Sequence, residues 1–70
     1  MTDARELKIA IMDSGVTITF IADKMGCSRN RIYSIMKGAD CTASEIVKFC
    51  EILHLTKKDR DRIFLAEKVN

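Results

Sequence analysis

The chain contains no proline, only three glycines and a single histidine in its 70 residues. With no proline, no residue in it outright forbids helix continuation, and the scattered Gly15, Gly26 and Gly38 leave few turn signals. Leu, Ile, Ala, Lys, Glu and Arg dominate and alternating strand-like runs are scarce, which favours short-turned helices and an all-α fold. No apolar run approaches the roughly 18 residues that a membrane span requires. The N-terminus is of mixed charge, unlike an export signal, so the expectation is a soluble, unexported protein that binds no membrane. Cys27, Cys41 and Cys50 are odd in number and far apart, which excludes a disulfide framework and suits a reducing compartment, the bacterial cytoplasm by default. Cys41, Cys50 and His54 have Cys-x8-Cys-x3-His spacing with no fourth ligand, so no metal is expected. Packing is the expected role of Cys50, and Cys27 stands where an aliphatic core residue is usual, leaving redox sensitivity as its minor alternative. His54 reads as a helix C-terminal residue. There is no dense acid cluster or phosphate loop and little volume for a pocket, so no enzyme activity, cofactor or small-molecule substrate is expected.

What is present points elsewhere. Residues 1–70 make one domain, short enough to bury only roughly 60% of its unfolded surface, so a second copy that covers more apolar area is expected to help it. The net charge of +2 is too small to identify a polyanion binder, but it is unevenly spread. Residues 1–16 hold two bases against three acids, and residues 39–55 one base against three acids. Residues 17–38 hold Lys24, Arg29, Arg31 and Lys37 against Asp23 alone, and residues 56–70 hold five bases against three acids.

Caps and stops predict five helices. The first spans about Asp3 to Asp13, capped by Thr2 or Asp3 and stopped by Gly15. The second starts after Thr17, turns Ile21, Ala22 and Met25 to one face and ends at Gly26. The third starts after Ser28, turns Ile32 and Ile35 inward and ends at Gly38. Thr42 and Glu45 have the spacing of a capping box ahead of a fourth helix with Ile46, Phe49, Cys50 and Leu53 on its apolar stripe, and Leu55 closes the core beyond it. Thr56 and Asp59 repeat the pattern for a fifth helix through about Val69, with Ile63, Phe64 and Ala66 apolar.

The second and third helices form a constellation: two short helices around a tight glycine turn, the second of them basic and polar outside. Ala22 is small where the helices cross, Gly26 permits a positive φ, and Ile21, Met25, Cys27, Ile32 and Ile35 set the interhelical angle. The stretch Thr17-Ile18-Thr19-Phe20-Ile21-Ala22-Asp23-Lys24-Met25-Gly26-Cys27-Ser28-Arg29-Asn30-Arg31-Ile32-Tyr33-Ser34-Ile35 resembles the helix-turn-helix of the phage Cro and repressor family. The ending Ile63-Phe64-Leu65-Ala66-Glu67-Lys68-Val69 is similar to the tail of short Cro-like proteins of Gram-positive phages and prophages. Ile18 departs from the family's glutamine, so the phosphate contact made there is not carried over. The resemblance implies a five-helix bundle of lambda-repressor-like DNA-binding type, with its helix-turn-helix at about residues 17–37. It also implies a dimeric transcriptional regulator, a repressor, on an operator in double-stranded DNA.

Rotation by about 100° per residue from Ile32 and Ile35 directs Asn30, Tyr33, Ser34 and Lys37 outward, with Arg29 and Arg31 on the flanks. The resemblance puts the first turn of this helix against base edges, which makes Arg29 and Asn30 the foremost readers. Arg suits guanine O6/N7 and Asn suits adenine N6/N7, each about 1–3 kcal/mol of discrimination. Ser34 fits a base or a phosphate, and Tyr33 a thymine methyl, a phosphate or an ordinary surface position beside Lys37. Thr17, Thr19, Ser28, Arg31 and Lys37 are placed to hold phosphates. Scattered charge on a helix is more often a solvated face. Here the Gly26 turn, the small Ala22 and the lack of acids between Lys24 and Asp40 favour the reader. Alternating charges from Lys57 to Arg62 read as a solvated, ion-paired face, with a dimer strip of Ile63, Phe64 and Val69 as its functional alternative. A protein-interaction module, an antitoxin and a restriction controller are the rival readings on the same fold.

Overall fold

A computed structural model of the chain describes residues 2–65, which form five helices: α1 (Ala4–Ser14), α2 (Ile18–Met25), α3 (Arg29–Met36), α4 (Ala43–Leu53) and α5 (Lys57–Phe64). No strand occurs among the described residues. Each helix begins at a short polar side chain that accepts an otherwise unpaired first-turn N–H: Asp3, Thr17, Ser28, Thr42 and Thr56. Thr42 with Glu45, and Thr56 with Asp59, close reciprocal capping boxes. Of the two candidates for the first cap, Asp3 takes the role, while Thr2 is buried with its hydroxyl 3.9 Å from Cys41 Sγ. Gly15 (φ 74°) and Gly26 (φ 70°) stop α1 and α2 in the left-handed region, and His54 stops α4 at φ 53° without being glycine. The described part of α5 ends at Phe64, capped by Leu65. The expected continuation through Ala66 to Val69 lies outside the described residues.

The core is one cluster: Leu7 and Ile11 from α1, Ile21, Ala22 and Met25 from α2, Ile32 and Ile35 from α3, Phe49 and Leu53 from α4, and Ile63 and Phe64 from α5. α1 to α4 each contribute an apolar pair or triplet at helical spacing and α5 an adjacent pair, and each fully buried large side chain is worth roughly 1.5–3 kcal/mol. Ile46 and Leu55 pack partly buried around it, and Cys50, expected on the same stripe, is half-buried. α2 packs on α3 and α4, while α1 lies across α3, α4 and α5. The backbone N–H of Asp3 donates to the carbonyl of Ile63 at 2.6 Å, tying the start of α1 to α5.

The strip weighed as an alternative dimer surface on α5 is corrected for two of its three residues, which are not exposed. Ile63 is 0% and Phe64 3% exposed, because both turn inward and the Phe64 ring packs on Phe49 with centroids 5.4 Å apart. In so small a domain, apolar residues that two capping-box helices bring together are needed for its own core. Val69, the third member, lies outside the described residues. Among the described residues no helix is long and apolar enough to cross a membrane.

Candidate nucleic-acid interface

The interface is built by α2, α3 and the three residues between them. Gly26 bonds back through its N–H to the end of α2, and the Cys27 N–H follows to the Ala22 carbonyl at 3.0 Å, so α2 is closed off and the chain leaves it within three residues of the start of α3. A Cβ at Gly26 would meet nothing within 4 Å; glycine is needed there for its positive φ and not for space. Lys48, reaching over from α4, donates to the Met25 carbonyl at 3.3 Å and so supports the last turn of α2. Ser28 then starts α3 by accepting the Arg31 N–H at 3.1 Å.

α3 divides into two faces. Ile32 and Ile35 are wholly buried, which fixes the roll of the helix. Arg29, Asn30, Tyr33, Ser34 and Lys37 are exposed, and Tyr33 keeps 46% of its surface in solvent. Ser28, Thr17 and Thr19 are exposed at the start of the two helices. The hydroxyls of Ser28 and Thr17 each serve as a cap acceptor and retain a proton to donate outward. Arg29 and Lys37 make no ion pair with any described residue, and the first turn of α3 holds no acid. The face is therefore cationic, polar and held on a rigid apolar backing.

Arg31 stands apart from its neighbours. Its Nε donates to Glu45 Oε2 at 2.9 Å, and its Nη2 to Glu45 Oε1 at 2.7 Å and to the Asp40 carbonyl at 3.0 Å. The guanidinium hydrogen bond holds the Glu45 carboxyl down at about 2, and the same contact raises the Arg31 pKa. Of the residues expected at phosphates, this one is engaged with protein instead. Glu45 was visible in the sequence only as a capping partner; its second role joins positions 14 apart, where no periodic signal exists.

Burial pushes the Cys41 and Cys50 thiols up, which keeps them protonated at neutral pH. Cys27 is half-buried against the core beside the turn. A shallow hollow of about 340 Å³ lies between α2 and α4, lined by Phe20, Lys24, Lys48, Glu51, Ile52 and His54. Phe20 is half exposed there with the Lys24 ammonium 5.6 Å from its ring centre, a cation–π contact that the apolar pattern of α2 did not announce. Comparison of the chain with protein-family models, with curated proteins and with solved structures finds no match to any of them.

Proposed function

We propose that the protein is a sequence-specific regulator of transcription that binds double-stranded DNA. In this reading α2 and α3 act as a helix-turn-helix of the phage Cro and repressor type, with α3 set into the major groove. The observation that carries it is the division of α3: two fully buried isoleucines on one side, and Arg29, Asn30, Tyr33, Ser34 and Lys37 exposed on the other, with neither cation in an ion pair among the described residues. A helix of eight residues is about 12 Å long, enough to pass along about four base pairs.

Arg29 and Asn30, in the first turn, read base edges by paired hydrogen bonds. Tyr33 and Ser34 follow along the groove. Lys37, Ser28, Thr17 and Thr19 hold phosphates on either side and set register without reading sequence. Four base pairs are too few to specify an operator, so two copies act together on half-sites about 34 Å apart, and occupation of the operator represses by excluding polymerase.

Selection of bound duplexes from a random pool tests this, followed by titration of the selected duplex against scrambled DNA at near-physiological salt. An enriched palindrome bound at least 10³-fold more tightly than scrambled DNA is the expected result. No enrichment, with only weak salt-sensitive binding, would move the exposed face to a protein partner.

A further inference from the structure

Within the DNA-binding reading, on which this step rests, we infer that Arg31 is a positioning residue and not a phosphate ligand: with Glu45 it forms a latch that fixes the reading helix α3 against the start of α4. The two helices need such a link. α3 packs on α1 and α2, α4 packs on α1, α2 and α5, and the backbones of α3 and α4 do not approach each other. Arg31 spans this gap from the first turn of α3. Its fork takes both oxygens of Glu45, and Nη2 also takes the Asp40 carbonyl in the connecting loop. Glu45 Oε1 accepts the Thr42 N–H as well, at 2.9 Å, so the carboxylate that closes the capping box of α4 also grips α3. The Glu45 side chain is only 17% exposed and that of Arg31 35%.

A planar bidentate pair constrains direction as well as distance, which a lysine at the same place would not do. Arg31 follows directly on Arg29 and Asn30, so holding it sets the angle at which those two side chains meet a groove. To reach a phosphate, the guanidinium would have to leave one anion for another and strand Glu45 beside the DNA. The pair also carries no net charge, and releases no counterion when DNA binds. Arg31 therefore governs which sequence is preferred, through the angle at which Arg29 and Asn30 are presented, while Lys37 governs how strongly any duplex is held.

The test uses the full chain, with helix content checked for each variant, and titrates the selected and a scrambled duplex over a range of KCl concentrations. Arg31→Gln and Arg31→Lys are expected to lower the ratio of selected to scrambled affinity about tenfold while leaving the slope of log K against log salt unchanged. Glu45→Gln frees the guanidinium, so its slope is expected to steepen by about 0.9 and its scrambled binding to rise. A slope flattened by about 0.9 in Arg31→Gln and unchanged in Glu45→Gln would make Arg31 a phosphate ligand and overturn the inference. A second readout needs no DNA: the Arg31 Nε–H resonance of the free protein is expected to be protected from solvent exchange and to lose that protection in Glu45→Gln. An unprotected wild-type resonance overturns the latch. If the wild type prefers no duplex, the DNA reading fails and the role in base reading fails with it, whereas a protected resonance still assigns the pair to joining α3 and α4.

Discussion

α3 and α5 are both eight residues long and both carry bases, yet the acids that answer those bases are placed differently. On α5, Arg60 pairs with Asp61 at 3.0 Å, and Arg62 pairs with Asp59 at 3.0 Å and with Glu6 of α1 at 3.1 Å. On the outer face of α3, Arg29 and Lys37 have no such partner among the described residues, and the one base that does, Arg31, is turned toward α4. Counting bases alone makes both helices look like candidates for binding an anion. Pairing and the placement of acids separate them. α5 commits Arg60 and Arg62 to exposed bridges worth about 1 kcal/mol or less each and carries Asp59 and Asp61 among its bases, with only Lys57 and Lys58 unpaired among the described residues, whereas α3 carries no acid at all beside its exposed cation.

The most severe way to break this contrast is to remove the core that both helices share. Phe49→Ala deletes a wholly buried ring that packs on Phe64, and a loss of about 3–5 kcal/mol is expected in urea unfolding. Spectroscopic probes on α3 and α5 should then report one common transition; separate midpoints would show that the helices are not one cooperative unit. Next in size is the effect on DNA. Asn30→Ala is expected to lose about 1–3 kcal/mol of discrimination at one or two base pairs, and Lys37→Ala to weaken all duplexes alike and flatten the salt slope by about 0.9. Arg62→Ala should change neither, and equal effects of Lys37→Ala and Arg62→Ala would erase the distinction between the helices.

Acid offers a finer test. The Arg31 hydrogen bond lowers Glu45 from 4.5 to about 2, so its contribution is fully present above the unfolded pKa near 4.5 and is lost as pH falls toward 2. Stability followed between pH 5 and pH 2 should therefore fall less steeply in Glu45→Gln than in the wild type. Asp59 is lowered too, chiefly by the Thr56 backbone N–H, and Asp59→Asn should act in the same direction. The smallest expected change is a gain: His54→Gly relieves a left-handed backbone at the end of α4 and should stabilise by about 0.5–1 kcal/mol in thermal unfolding. A loss instead would mean that the His54 side chain contributes more than its backbone costs.

The helices were legible in the sequence because their determinants are local. Thr17, Ser28, Thr42 and Thr56 each act on an N–H three residues ahead, and the core residues of α1 to α4 repeat at helical spacing. The exposed positions of α3 followed from Ile32 and Ile35 by rotation alone. Three features escaped because nothing local specifies them. The Arg31–Glu45 fork joins separate helices. Two apolar residues after a run of charges, Ile63 and Phe64, look the same whether they face a partner or the domain's own core. His54 adopts a backbone that a glycine would normally mark.

The hydrogen bond from Asp3 to Ile63 has a consequence for the order of events in folding. It closes a loop of about 60 residues, whereas the turns from α2 to α4 bring together segments much closer along the chain. Loop closure of this length adds little to the free-energy cost but delays the encounter, so contacts that are distant in sequence form late. α2, α3 and the turn between them can thus assemble before the first and last helices join, and the Asp3–Ile63 bond acts as a clasp on a domain whose central part is already shaped.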